Sequence, residues 1–330
     1  MKDSNYAFIT GKIRYLETKL LDATDLERMI DAPDLESAFK VFYDTDYAEY
    51  LSEVHPDEFE KAVFEDLKHN REFLMKMIPD KDFVKFLLLE YDFFNLKVIF
   101  KEKLFKKDLS HLLITLGFFE VADLRKLVLD GGETKIDKII KEVIDEANLI
   151  FKEKADPYKI EFFFDKKYFL VFKNLAEKLK NQFVLDFVKF KIDLTNLRIF
   201  LRLKNLGHPA DLLKEALIDG GTILAEDFIN LYRQDLDLAI KNLKKFFPST
   251  FNKYLSDYLD KKEFWLLEKR LFDEEIDYLR KAKSVAFGPE IVAAYFYAKK
   301  NANKNTRLIM SGKLNQIDSL ILKERVRRLY

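Results

Sequence analysis

Two stretches 101 residues apart carry one polar signature inside an otherwise apolar run, and this recurrence limits the fold more than any other feature. Asp92-Phe93-Phe94-Asn95-Leu96-Lys97-Val98-Ile99 matches Asp193-Leu194-Thr195-Asn196-Leu197-Arg198-Ile199-Phe200 in pattern. A degraded third copy, Asn305-Thr306-Arg307-Leu308-Ile309, follows a further 109 residues on, with Ala302 where the aspartate would stand. An aspartate and an asparagine three residues apart share one face of an α-helix, and the basic residue lies two positions further on. Polar groups inside so apolar a segment must be hydrogen-bonded, or they destabilise the fold. Asp92, Asn95, Lys97, Asp193, Asn196, Arg198, Asn305 and Arg307 are therefore read as structural braces tying each long helix to its neighbour, in preference to a repeated ligand site. A duplicated fold duplicates its internal braces. The first two copies are each followed by a glycine pair, Leu129-Asp130-Gly131-Gly132 and Ile218-Asp219-Gly220-Gly221, read as helix stops of the left-handed kind. Three related units divide the chain at 1–112, 113–212 and 213–330. They predict a body of approximate threefold pseudo-symmetry, closed as a ring or cone or run out as a solenoid.

The segments between the copies are poor in breakers, with 9 glycines and 7 prolines in 330 residues. A sandwich or barrel needs many tight turns, and those turns need both residue types. The fold class is therefore all-α. Ile9, Ile13, Leu16 and Leu20 are spaced for an amphipathic helix over Tyr6 to Leu21. Thr24-Asp25-Leu26-Glu27 has capping-box form and starts a short second helix that Pro33 cuts off. Pro56-Asp57-Glu58 opens another, with acids where the helix dipole favours them. Phe83 to Phe105 reads as a long helix buried among others. Loops are expected at Ala155-Asp156-Pro157, Gly207-His208-Pro209, Phe247-Pro248-Ser249 and Phe287-Gly288-Pro289. No flexible linker separates the pieces.

Catalysis has no visible home. There is no cysteine, which removes disulfides, thiolate chemistry and cysteine metal sites. No GxxxxGK[ST], GxGxxG, HExxH or GxSxG occurs. His55, His69, His111 and His208 are scattered, and none stands at ligand spacing from another. Asp273-Glu274-Glu275 reads as ordinary solvated acids, and the 32 phenylalanines as core filler. Met1-Lys2-Asp3-Ser4-Asn5 is polar with no apolar stretch behind it, and no window of about 18 residues is free of charge, so a cytoplasmic chain without a membrane span is expected. Charge is unevenly placed. Asp22 to Lys68 holds fifteen acids against four bases, a net of −11, and Lys299 to Tyr330 holds nine bases against two acids, a net of +7. These poles read as solvated helix faces or as docking surfaces of opposite sign for different partners. The tract Lys323, Arg325, Arg327 and Arg328 is too short on a neutral chain to indicate nucleic-acid binding.

The order of several segments resembles a known family. Tyr6-Ala7-Phe8-Ile9 with Arg14 and Leu20-Leu21 is similar to the opening helix of the C subunit (the d subunit in some nomenclatures) of V-type ATPases and ATP synthases. Asn95-Leu96-Lys97 and Asn196-Leu197-Arg198 resemble its repeated helix. Gly288-Pro289-Glu290, Ala293-Ala294-Tyr295, Ala298-Lys299, Asn305-Thr306-Arg307, Gly312-Lys313-Leu314 and Arg325 to Tyr330 resemble its closing block. The resemblance implies an all-helical funnel of three similar helical domains. It implies a non-catalytic subunit between the central-shaft subunits and the membrane proteolipid rotor ring, passing torque between ATP chemistry and ion movement. No cofactor, nucleotide, ion or nucleic acid would bind the chain, which would be peripheral to the membrane through the complex. The competing expectation is a generic helical-repeat adaptor outside any rotary complex.

Overall fold

The computed structural model describes residues 6–132, 134–151 and 156–330; Met1 to Asn5 and the expected loop residue Ala155 lie outside them. Every regular element among the described residues is helical. In chain order they begin with α1 (Ala7–Glu17), α2 (Ala23–Asp31), α3 (Leu35–Lys40) and α4 (Phe59–Met77). Then come α5 (Lys81–Phe105), α6 (Val121–Arg125), α7 (Lys138–Ile150), α8 (Pro157–Leu179), α9 (Gln182–Asn205), α10 (Ala210–Ala216), α11 (Ala225–Tyr232) and α12 (Leu236–Leu243). The last are α13 (Ser249–Lys261), α14 (Phe264–Arg280), α15 (Pro289–Leu314) and α16 (Ser319–Arg325). They form two compact units, one built from Met1–Ile78 with Asn252–Tyr330 and the other from Pro79–Phe251.

In the discontinuous unit α15 is the central element. It touches α1, α2, α3, α4, α14 and α16, and it buries residues along nearly its whole length, from Ile291 to Lys313. A helix covered on all sides cannot be amphipathic, which is why this stretch lacks a clear polar face. Helix α1 stops at Glu17, short of the expected Leu21. The Thr18 hydroxyl donates to the Tyr15 carbonyl at 2.7 Å, and the next amides turn back by three residues instead of four. Helix α2 is capped by Asp22, not by Thr24, which lies inside the helix. Asp22 is extended (φ −98°, ψ −179°), so its carboxylate accepts the Asp25 amide at 2.9 Å while Asp25 accepts the Asp22 amide at 3.1 Å. The capping box is real but sits two residues upstream of its sequence match. The helix ends before Ala32-Pro33, as the residue before proline disfavours helical geometry. Pro56–Glu58 forms one tight turn that leads into α4.

In the continuous unit α5 and α8 run antiparallel, joined by ring pairs. Phe86 stacks on Phe172 at 4.3 Å and 6°, Phe93 meets Tyr168 at 5.8 Å, and Phe100 meets Phe164 at 5.0 Å. The rings on α5 recur every seven residues and those on α8 every four, so each helix offers one stripe. Asp80 opens α5 by accepting the amides of Asp82 and Phe83. Lys106 closes it in the left-handed conformation (φ 53°). Helix α6 runs on into a wider π-type turn, Lys126–Asp130, and that turn is capped by Gly131, also left-handed (φ 65°), as expected. Helix α10 behaves differently. It stops at Ala216 with Leu217 extended, and Asp219-Gly220-Gly221 falls in the loop beyond.

Candidate functional site

The polar repeats make the same side-chain-to-backbone clamp three times. Asn95 is fully buried on α5; its Nδ2 donates to the Ile114 carbonyl at 2.8 Å, and its Oδ1 accepts the Ile114 amide at 2.9 Å. Asn196 on α9 pairs identically with Ile218, at 2.8 and 2.9 Å. Asn305 on α15 pairs with Arg327, at 2.9 and 2.9 Å. A carboxamide carries one donor side and one acceptor side, so it can satisfy both groups of a peptide unit at once. The partner is in each case a non-helical segment 19 or 22 residues downstream, not a neighbouring helix. Each asparagine thereby pins a connection onto the long helix that precedes it.

The aspartates extend the clamp. Asp92 accepts the amides of Phe118 at 3.0 Å and Phe119 at 3.1 Å. Asp193 accepts the amide and hydroxyl of Thr222 at 3.0 and 2.5 Å, and the Ile223 amide at 3.1 Å. Burial raises the Asp193 carboxyl above its ordinary range, against the lowering effect of Thr222 and Ile223. The third copy has Ala302 in place of the aspartate, and a carboxylate from another helix, Asp273 on α14, accepts the Arg328 amide at 2.7 Å, one residue past the clamped Arg327 and not four or five past it as in the first two copies. Asp273 and Glu275 are buried, so the acidic run 273–275 is not the solvated surface expected of it. Burial raises Asp273 as well.

Close approach of these carboxylates to the loops requires glycine. A Cβ on Gly117 would stand 2.1 Å from Asp92 Oδ1, and a Cβ on Gly221 would stand 2.1 Å from Asp193 Oδ1. Gly117 is thus the counterpart of Gly221, and the likeness between Gly131-Gly132 and Gly220-Gly221 is one of spelling only. The available signal was a single glycine 25 residues after Asp92 and 28 after Asp193, masked by the unequal spacing.

The basic residues of the repeat leave the clamp. Lys97 reaches α8, bonding Asp165 at 2.6 Å and Glu161 at 2.8 Å, and Lys101 also bonds Glu161. Burial raises the Asp165 carboxyl despite Lys97. Burial would raise Glu161 too, but hydrogen bonds from Lys101 and Lys97 outweigh it and hold Glu161 below its ordinary value. Arg198 donates to Thr195 at 3.3 Å, and Arg307 pairs with Glu60 of α4 at 2.7 Å.

A second polar cluster was not anticipated. Buried Lys299 on α15 meets buried Asp66 on α4 at 2.7 Å; Asn303 Nδ2 donates to Asp66 at 3.1 Å, and the Tyr47 hydroxyl donates to Asn303. Burial, then the Asp66 charge, push the Tyr47 hydroxyl far above its ordinary range. Asp66 with Asn70, and Lys299 with Asn303, are i, i+4 polar pairs on buried helices, the signal that could have found them. With Arg307–Glu60 at 2.7 Å and Lys323–Asp31 at 2.8 Å, these pairs join the acidic and basic poles inside one unit. These contacts set part of the acidic segment against part of the basic one. The closing arginines are likewise used internally. Arg325 lies over Trp265 at 3.9 Å, Arg327 over Phe272 at 4.0 Å, and Arg328 pairs with Asp277. Arg14 donates to the carbonyls of Ala282 and Val285.

Among the described residues, no group of three or more His, Asp or Glu side chains is arranged to hold a metal ion, and no helix is long and apolar enough to cross a membrane. The clamps fix backbone geometry.

The sequence matches the ATP synthase (C/AC39) subunit family over residues 9–325. It is 24% identical to the C subunit of the V-type sodium ATPase of Enterococcus hirae, across 98% of this chain and 99% of that one. It is 25% identical to the C subunit of the A-type ATP synthase of Methanocaldococcus jannaschii, across 94% and 84% of the two chains. With that of Thermococcus kodakarensis it shares 26%, across 72% and 68%. This chain belongs to the ATP synthase (C/AC39) subunit family.

Proposed function

We propose that the chain is a non-catalytic subunit of the central rotor of a V-type or A-type ATPase, seated between the central-shaft subunits and the membrane proteolipid ring. It transmits torque between ATP chemistry in the soluble head and ion movement in the membrane part, on the cytoplasmic side and without a cofactor of its own. The observation that carries this reading is the family match along nearly the whole chain, with a C-subunit relative matched end to end. The recurring clamp gives it physical content. A torque coupler must not shear, and pinning each long helix to a connection about 20 residues away by paired hydrogen bonds opposes sliding in that connection. We accordingly propose that Asp92, Asn95, Asp193, Asn196 and Asn305 are stiffening braces, that Lys97, Arg198 and Arg307 link them outward, and that repeats over 1–112, 113–212 and 213–330 form a funnel of approximate threefold pseudo-symmetry.

The test is depletion in native membranes. Membranes lacking the chain should still hydrolyse ATP in the soluble head while ATP-driven ion uptake disappears, and adding the purified chain should restore uptake. A tagged chain should co-purify with nucleotide-binding and proteolipid subunits. Ion uptake undiminished by its removal would overturn the proposal.

A further inference from the structure

The turn between α2 and α3 and the turn between α15 and α16 border one open groove of about 680 Å3 in the discontinuous unit, lined by Pro33, Asp34, Leu35, Leu314, Ile317 and Asp318 among others. Leu314, Ile317, Leu320 and Ile321 are exposed, Leu320 by 72%. Leu314 and Ile317 line the groove, and Leu320 and Ile321 follow its last lining residue, Ser319, in the first turn of α16; four large apolar side chains uncovered within eight residues of chain are the kind of feature that marks an interaction surface.

The surroundings hold this surface in place. Buried Lys313 donates to the Ala32 carbonyl at 2.6 Å and to the Ser319 hydroxyl oxygen at 3.1 Å. Ser319 donates to the Ile30 carbonyl at 2.7 Å, so the end of α2 and the start of α16 are tied together. Leu322 is buried against Gly312, where a Cβ would stand 2.4 Å from Leu322 Cδ2. With Leu322 locked inward, α16 cannot roll to cover Leu320 and Ile321. The apolar lip is kept in water by packing that leaves it no other place.

Charge around the groove selects the occupant. Asp31, Asp34 and Asp318 stand on its rim, and Glu27 lies close to Lys323. Of the three nearby cations, Lys313 is spent on a carbonyl and a hydroxyl, Lys323 on Asp31, and Lys40 acts on Asp34 from α3, set against the four carboxylates of Glu27, Asp31, Asp34 and Asp318. The rim is left acidic. We propose that this groove docks a segment of another subunit bearing two or three apolar side chains flanked by lysine or arginine. The apolar residues would cover the lip, and the cations would meet Asp34 and Asp318. The proposal rests on the rotor reading only in requiring that the chain work within a complex.

The chain has no cysteine, so Leu320→Cys carries a unique thiol. The purified full-length variant is labelled with benzophenone maleimide, rebound to membranes depleted of the native chain, and irradiated. Leu149→Cys on α7, 71% exposed, is the control position. The expected product joins position 320 to one apolar, lysine- or arginine-bearing segment of another subunit, and position 149 does not give it. Cross-linking to a second copy of this chain, to lipid or to an acidic segment, or no more than at position 149, overturns the proposal. A label-free arm covers the case in which the benzophenone blocks docking. Leu320→Ser with Ile321→Ser should lower the fraction rebound at moderate salt by about tenfold relative to Leu149→Ser, from the apolar area no longer covered. Equal rebinding overturns it too. Failure of the rotor reading looks different, since the unmodified chain would then not rebind at all.

Discussion

Replacing Gly221 with alanine adds one methyl group where a loop comes closest to its clamp. The new Cβ would stand 2.1 Å from Asp193 Oδ1, 3.1 Å from Asp193 Cγ and 3.2 Å from Ile192 Cγ2, where carbon contacts are comfortable near about 3.5–4.0 Å. Either the loop or the carboxylate must retreat, and each retreat breaks bonds from the Thr222 amide, the Thr222 hydroxyl and the Ile223 amide. A hydrogen bond to a charged group contributes about 1.5–3 kcal/mol, so losing two of the three places the cost at about 3–6 kcal/mol. Gly11 supplies the opposite sign. It lies inside α1 with nothing within 4 Å of a Cβ, so alanine there should stabilise the chain by about 0.5–1 kcal/mol through helix propensity. Urea denaturation of both variants, followed by circular dichroism, measures the pair. A Gly221→Ala cost under about 1 kcal/mol, on the scale of an ordinary surface change, would show that the loop yields freely and that the clamp is no fastening. A cycle with Asp193→Ala sharpens the test. Once the carboxylate is gone the methyl group should cost little, so the two substitutions must be strongly non-additive.

Lys299→Met strands the Asp66 carboxylate in the core and should destabilise the chain by about 3–5 kcal/mol, whereas adding Asp66→Leu should recover much of the loss in a thermal melt. Glu161 is held below its ordinary value of 4.5 in the folded chain, so its contribution is fully present above that value and is lost as pH falls through the lower folded one. Glu161→Gln should therefore flatten the acid limb of the stability–pH curve, and an unaltered limb would contradict the assignment. Asn305→Ala leaves both peptide groups of Arg327 without their partner, at about 2–4 kcal/mol locally. Exchange of the Arg327 amide should speed up, and emission of Trp265, the chain's one tryptophan, should change as Arg325 leaves its ring.

The all-α class and the positions of the repeated polar residues were legible because each rests on local rules. Few breakers mean few turns, and a buried polar side chain needs a partner. What those partners were was not legible, because Asn95, Asn196 and Asn305 bond to backbone, and backbone carries no residue identity for a sequence to display. Gly117 was missed for a related reason. Glycine is chosen there for an approach made by Asp92, and nothing local distinguishes it from the turn glycine at 131. Asp273 was hidden differently, since it lies on α14, outside the repeat, and meets the Arg328 amide only through the tertiary fold. The opposed charge of the two chain ends was visible, yet their meeting was not, because Lys299 and Asp66 are brought together only by the tertiary fold. Both offsets from expected helix limits, at Glu17 and at Asp22, trace to single side chains competing for a nearby backbone group.

The unit made from Met1–Ile78 and Asn252–Tyr330 has a consequence for biosynthesis. As the chain leaves the ribosome, α1 to α4 emerge early but lack α15, the element they pack around, until some two hundred further residues have been made. Asp66 waits for Lys299, and Tyr47 for Asn303. During that interval the net charge of −11 from Asp22 to Lys68 is unanswered by its later partner, and mutual repulsion works against premature collapse and self-association of an otherwise incomplete core. The stretch Pro79–Phe251 needs no such delay, since its own compact unit is one continuous run of chain. Order of synthesis and charge pattern thus act together, with the acidic segment repelling itself until the basic one arrives to offset part of its charge.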